Sequence, residues 1–310
     1  MKLYIVDAFT EALFGGNPAG VCLIPEGQDF PDDEMMQKIA AELRYSETAF
    51  AKRIPQDKTG PQGYEVRYFT PTGEVDLCGH ATIATFYCLT KDTPGDLDGK
   101  FFVAHTKAGD IQVDVSNDEV WMDMATPRHI ATIDDPIEID RLYDIMGSEF
   151  DQSLALYPMI ISTGLPDIIM PVSSPAELNR MVPNMDALTE LSNKYGVTGV
   201  HAFAFPDSAS EGEQKNATLH LHARNFAPAC GIPEEAATGT ANGALTYYMY
   251  LNKKLDDLRW CRVIQGESMG RPSIITTSFH KGISAEAAET DITIRVGGSA
   301  RILAEGDLTL

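Results

Sequence analysis

Two short stretches of this chain, roughly half its length apart, are versions of one local design, and they constrain the fold more than any other feature. The first runs Phe69-Thr-Pro-Thr-Gly-Glu-Val-Asp-Leu-Cys78-Gly79-His80-Ala-Thr82. The second runs Gly231-Ile-Pro-Glu-Glu235-Ala-Ala-Thr238-Gly239-Thr240-Ala-Asn-Gly243. Each passes from a loop of small residues into an apolar helical pattern: Ala81, Ile83, Ala84, Phe86 and Tyr87 in the first, Ala244, Leu245, Tyr247 and Tyr248 in the second. The first N–H groups of a helix lack intrahelical acceptors and lie at the positive end of its dipole, so each junction is a ready anion site. Two such junctions predict two similar halves gripping one small acid.

The 310 residues suit two domains, and 44% apolar residues are enough for two cores. A formal charge of −21 argues against a nucleic-acid or anionic-membrane partner, since both call for basic patches. A small anionic substrate must then be attracted by local features such as helix ends. The five cysteines are odd in number and form no Cys-x-x-Cys, which reads as a reducing, cytoplasmic setting. The first residues read as a strand rather than a signal peptide, and no run is long and apolar enough for a membrane span.

Alternation predicts strands at residues 2–9, 21–24, 45–51, 64–69, 111–115, 120–124, 157–162, 168–172, 200–205, 218–226, 262–264, 274–278, 292–296 and 301–304. Helices are expected from Pro31 to Leu43 with a core face of Met35, Met36, Ile39, Ala40 and Leu43, at 80–90, 175–181 and 183–195, and from Gly239 to Leu251. Residues 91–100 and 207–215 read as polar loops. Many strands with few long helices predict an α+β fold of two pseudo-symmetric halves, each a curled mixed sheet wrapped around a central helix. The expected division is 1–128, joined by the last strand at about 291–310, and 129–290.

Glu47, in Tyr45-Ser-Glu-Thr-Ala-Phe-Ala51, sits among strand formers and small residues, a setting that suits either a general base or a structural carboxylate. His80 opens the first helix, where the dipole disfavours imidazolium and keeps the ring neutral, for catalysis or for capping. Cys78 is either a buried inert thiol or an activated nucleophile. A two-thiol racemase needs a matching cysteine in the second motif, where Ala237 stands instead. His220 and His222 share a strand face, but no third ligand stands at metal-site spacing, so no metal is expected. Without a Gly-x-Gly-x-x-Gly turn, a Walker loop or a Gly-x-Ser-x-Gly, no nucleotide cofactor and no serine-hydrolase elbow is expected either.

With these residues in place, the chain resembles the PhzF-like (phenazine biosynthesis-like) isomerase family, whose fold is that of diaminopimelate epimerase. The resemblance runs from Asp7-Ala-Phe-Thr and Gly16-Asn-Pro-Ala-Gly-Val-Cys22 through Ser46-Glu-Thr-Ala-Phe50 and Glu74-Val-Asp-Leu-Cys-Gly-His-Ala-Thr82. It continues through Arg224-Asn-Phe-Ala-Pro228 and Glu234-Glu-Ala-Ala-Thr-Gly-Thr-Ala241 to Gln265-Gly266 and Gly270-Arg-Pro-Ser273. It implies an active site in the cleft between the halves, no cofactor, no metal, and a homodimer. It implies that Glu47 matches the family's catalytic carboxylate and His80 its active-site histidine. Glu235 falls where the phenazine enzyme has aspartate, in a Glu-Asp-Pro-Ala-Thr-Gly pattern, and Ala236 replaces the proline. One extra methylene displaces a carboxylate by roughly 1 Å, a shift that can cost about 10²-fold in rate, which argues for a substrate other than the phenazine precursor.

The expected reaction is a cofactor-independent proton shift between carbons of a small unsaturated or amino carboxylic acid. Glu47 and His80 serve as acid and base, and Glu235 holds an amine or hydroxyl. Backbone amides at Gly79 and His80, and at Thr238, Gly239 and Thr240, hold the carboxylate. A binding protein without turnover, an amino-acid epimerase and a Cys78 thiol enzyme are the alternatives.

Overall fold

The structure is a computed structural model that describes residues 1–55, 60–92, 99–116, 118–207, 218–256, 259–281 and 292–309. The loops expected at 91–100 and 207–215 lie largely outside these residues. The fold is α+β, in two compact units: Met1–Asp123 with Gly297–Leu310, and Met124–Val296. Among the described residues no helix is long and apolar enough to cross a membrane.

The first unit holds β1 (Lys2–Ala8), β2 (Asn17–Leu23), α1 (Asp33–Leu43), β3 (Thr48–Arg53), β4 (Gln62–Phe69), β5 (Glu74–Val75), α2 (Gly79–Asp92), β6 (Lys100–Thr106), β7 (Gly109–Ser116) and β8 (Glu119–Asp123). The second begins with β9 (Arg128–Thr132), α3 (Pro136–Met146), β10 (Met159–Ser162), β11 (Pro166–Pro171), α4 (Pro175–Arg180), α5 (Met185–Tyr195) and β12 (Val200–Ala204). It continues with β13 (Thr218–Ala227), β14 (Ile232–Glu235), α6 (Gly239–Leu251), β15 (Trp260–Gln265) and β16 (Ser273–Lys281). The long β17 (Ile292–Asp307) passes from the second unit into the first. There it pairs with β1 and β8 and closes the ring of strands.

The internal repeat is visible rung by rung. Strands β1–β2, β2–β3, β3–β4, β4–β6 and β6–β7 pair antiparallel, parallel, antiparallel, parallel and antiparallel. Strands β10–β11, β11–β12, β12–β13, β13–β15 and β15–β16 repeat that series. Gly20 lies opposite Thr48, itself opposite Phe69; Ile168 lies opposite Val200, itself opposite Phe226. The same rung carries the same bond: Gly20 N–H donates to Glu47 O at 3.3 Å, and Ile168 N–H to Gly199 O at 3.0 Å.

An identical arginine fork braces each motif. Arg67 donates through two nitrogens to the two oxygens of Glu74, both at 2.8 Å, and Arg224 does the same to Glu234, also at 2.8 Å. Paired bonds of this kind fix geometry as well as charge. Arg224 also donates to the carbonyls of Leu178 and Met181. Arg224→Met is expected to lower stability by about 2–3 kcal/mol, because it strands Glu234 and two carbonyls, as urea titration would show.

Each unit wraps its sheet around one apolar helix. In α2 every residue from His80 to Leu89 is buried, and in α6 every residue from Gly239 to Met249. A helix apolar on all sides has no solvent face and must lie inside. Phe86 of α2 meets Tyr64 edge-on and tilts against Phe102, while Tyr248 of α6 meets Phe203. Helix α1, by contrast, is amphipathic: Asp32 caps it and Met36, Ile39 and Ala40 are buried. Met35, expected in that core face, is exposed, since it falls outside the i, i+3, i+4 stripe through Met36.

Elements without an expectation are the strands β5, β6, β9 and β14 and, last, the helix α3. The last starts with N-cap Asp135, whose carboxylate accepts from the Ile137 and Glu138 amides, and Pro136 follows. It buries Ile139, Leu142, Tyr143 and Met146. Asp135→Ala should cost about 1 kcal/mol by thermal unfolding.

Candidate active site

In the first unit, Glu47 directly precedes β3 and His80 is the second residue of α2. Both are buried, and Glu47 Oε2 lies 3.3 Å from His80 Nε2. Ser46 Oγ is also 3.3 Å from Nε2. On the other side of the ring, Asn17 Nδ2 stands 3.2 Å from Nδ1. An amide nitrogen only donates, so Nδ1 accepts and the neutral ring carries its proton on Nε2, facing Ser46 and Glu47. Burial holds His80 below the usual imidazole range, and the Glu47 carboxylate opposes that shift. Desolvation thus favours the neutral form of the ring. Long-range ¹H–¹⁵N spectra at pH 7.5 should show His80 as the neutral Nε2–H tautomer.

The turn into α2 is pinned from below. Thr82 Oγ1 donates to Cys78 O at 2.7 Å and lies 2.7 Å from the buried Tyr68 hydroxyl. Cys78 Sγ lies 3.4 Å from His80 Nδ1 and 3.9 Å from Nε2. Glu47, Cys78 and His80 thus place an oxygen, a sulfur and a nitrogen within 4.8 Å of one another. The sequence search for metal ligands, built on His220 and His222, did not reach this trio, because Glu47 joins it only through the fold.

In the second unit, Glu235 ends β14 and accepts a 2.5 Å hydrogen bond from Thr238 Oγ1. Gln265 ties the junction together: Oε1 accepts from the Thr238 amide at 3.2 Å and from Asn242 Nδ2 at 2.9 Å. Its Nε2 donates to Glu235 O at 2.7 Å. Of the amides expected to hold a carboxylate, that of Thr238 is therefore already engaged, and Gly239 and Thr240 open the helix. With the starts of α2 and α6 matched at Gly79 and Gly239, Thr238 rather than Ala237 stands opposite Cys78. Neither residue is a thiol.

The repeat also exposes a residue that sequence reasoning missed. Matching the rungs sets Glu47 against Gly199, and Ala19 against Asp167. Each unit therefore carries one carboxylate at this rung: Glu47 ahead of β3 in the first, and Asp167 on β11, the counterpart of β2, in the second. Gly199 leaves no room for a side chain, since a Cβ there would lie 1.9 Å from Phe226 O. Asp167 is buried, and desolvation pushes its carboxyl up to about 7, opposed by the backbone N–H of Gly199. It alternates with Ile168 and Met170, which pack into one core, and shares the parity of Ile169, which packs with α6. On that α6 side also lies His201, whose Nδ1 faces Asn225 Nδ2 at 3.3 Å and which burial lowers to about 4.

A family model described as phenazine biosynthesis-like protein matches residues 6–306. An uncharacterized isomerase of Clostridium acetobutylicum is 33% identical, covering 100% of this chain and 98% of its own. The human phenazine biosynthesis-like domain-containing protein is 30% identical over 100% of this chain and 99% of its own. A crystal structure of a Bacillus anthracis PhzF-family protein aligns with a TM-score of 0.80 at 25% identity, covering 100% of this chain and 99% of that one. A probable proline racemase from Agrobacterium radiobacter shares the fold alone, at a TM-score of 0.59 and 12% identity over 100% of this chain and 93% of its own. The α+β architecture is that of the epimerase-like fold expected from the sequence, and the chain belongs to the PhzC-PhzF, phenazine biosynthesis-like family of isomerases.

Proposed function

We propose that the protein is a cofactor-independent isomerase that moves a proton between carbons of a small unsaturated or amino carboxylic acid, with Glu47 as the acid/base. The observation that carries this reading is the Glu47 carboxylate held 3.3 Å from a buried His80 at the start of α2. Glu47 removes a proton from a carbon activated by a neighbouring double bond or carbonyl. The charge that develops is drawn to the amides and dipole at the start of α2. Glu47 returns the proton to another carbon on the same face, or the Nε2–H of His80 supplies one. Glu235 takes a substrate ammonium or hydroxyl, while Gly239 and Thr240 offer amides to a carboxylate.

The test is solvent exchange. The protein is incubated in D₂O with small α-amino and β,γ-unsaturated acids, and C–H signals are followed by NMR. Deuterium entering one compound supports the reading, whereas ligands that bind without exchange contradict it and favour a binding protein. The 3.4 Å contact between Cys78 Sγ and His80 Nδ1 favours a second reading, a thiol base. Cys78→Ala separates the two: exchange survives if Glu47 carries the proton and vanishes if the thiol does.

A further inference from the structure

We propose that Thr82 and Asn242 are positioning residues that aim and strengthen one backbone amide each, Gly79 and Gly239 respectively, as donors to a substrate carboxylate. The proposal rests on the reading that these amides hold that carboxylate. Each side chain acts through a peptide group rather than on the substrate.

A trans peptide is planar, and its C=O and N–H point in opposite directions. The Cys78 carbonyl and the Gly79 N–H belong to one such group. Gly79 is the first residue of α2, so its N–H has no acceptor within the helix and points out of it. Cys78 O accepts twice from Thr82, from the backbone N–H at 3.0 Å and from Oγ1 at 2.7 Å. A carbonyl only accepts, so the Thr82 hydroxyl proton is spent on Cys78, and Oγ1 in turn accepts from the Tyr68 hydroxyl at 2.7 Å. Tyr68 and Thr82 are fully buried. Donation thus runs from Tyr68 to Thr82, from Thr82 to Cys78 O and, across the peptide, out through Gly79 N–H. Each link polarises the next, on the order of 10–30% per bond, and the doubled bond fixes the peptide plane.

Helix α6 repeats the device with other side chains. Thr238 O accepts from the Asn242 N–H at 3.1 Å and from Asn242 Nδ2 at 2.9 Å, and the N–H across that peptide is that of Gly239. Gln265 stands behind Asn242, as Tyr68 stands behind Thr82. With the two helices matched at Gly79 and Gly239, Thr82 and Asn242 occupy the same position. A threonine hydroxyl returning to the carbonyl four residues earlier is ordinary in helices, and Thr85, Thr189 and Thr246 do the same. None of those carbonyls belongs to the peptide that opens its helix. What the two junctions share is the bond itself, made once by a hydroxyl and once by an amide.

Acetate is the probe, titrated into ¹⁵N-labelled protein while the Gly79 and Gly239 amide signals are followed by NMR. Acetate should move both signals in wild type. Thr82→Val keeps the shape and removes the hydroxyl. It should shift the ligand-free Gly79 amide proton upfield and weaken acetate at Gly79 by about three- to tenfold, with the response of Gly239 unchanged. Thr82→Ser should bind within about twofold of wild type. Asn242→Leu should reproduce the Thr82→Val effects at Gly239 and spare Gly79. Thr85→Val loses a bond of the same kind on Ala81 O and should leave both responses as in wild type, whereas a merely structural role would make it resemble Thr82→Val. If Thr82→Val does not fold, Tyr68→Phe carries the test, with a smaller change of the same sign at Gly79. Equal acetate affinity at Gly79 in wild type and in these variants overturns the proposal alone. An amide whose signal acetate leaves unmoved in wild type overturns it at that junction, together with the carboxylate reading. Acetate binding as predicted without any substrate C–H exchange removes the isomerase reading and leaves the positioning role standing.

Discussion

Glu47→Gln is expected to lower substrate proton exchange by about 10²–10⁴-fold, the contribution a positioned acid/base makes. The replacement keeps the size and planarity of a buried side chain 3.3 Å from His80 Nε2, so packing around α2 survives. What disappears is basicity. The loss should therefore fall on kcat, with KM changed by less than about tenfold, because the proposed carboxylate site at the start of α2 is untouched. Near-ultraviolet circular dichroism should match wild type. A variant that retains wild-type kcat removes Glu47 from the mechanism.

Asp167→Asn should stabilise the protein, and only above mildly acidic pH. The Asp167 carboxyl titrates near 7 in the folded chain against 3.8 for an ordinary aspartate, with desolvation as the main cause. Below pH 3.8 the group is protonated in both states and imposes no penalty. As pH rises from there, the unfolded chain releases the proton while the folded chain keeps it, so stability falls until pH passes 7. At about 1.4 kcal/mol per pH unit, the full penalty is about 4 kcal/mol at pH 8. Asparagine never ionises and escapes it. Urea titrations should show the variant equal to wild type at pH 4 and more stable by about 3–4 kcal/mol at pH 8. A difference that does not change with pH would contradict the buried, proton-holding state of Asp167.

The elements most legible in the sequence are those whose physics is local. The bounds of α6 follow from an apolar run with Gly239 at its start, and those of α2 from the same pattern, because a helix buried on all sides carries that signature along its own length. Residues that depend on partners far away in sequence are another matter. The Gly297-Gly298 pair in β17 reads as a break between two strands, yet the strand is continuous. A Cβ on Gly297 would lie 2.3 Å from the Trp121 ring, so glycine is there to admit a tryptophan, not to turn the chain. Asp167, after a Thr-Gly-Leu-Pro turn, looks like turn chemistry until the strand register sets it beside Gly199. Gln265 was legible as part of a motif but not as the residue that engages the Thr238 amide. Glu47 and His80 were each legible as candidates, and the 3.3 Å between them was not, since it depends on how β2 and β3 pair.

The central claim is that Glu47 moves a substrate proton, and the most direct test is a paired NMR experiment in D₂O. Wild type and Glu47→Gln are compared at one saturating concentration of a compound that both are shown to bind. The account predicts steady loss of one C–H signal with wild type and, with the variant, a rate about 10²–10⁴-fold lower. Equal deuterium incorporation by the two proteins would place the acid/base elsewhere and contradict the account.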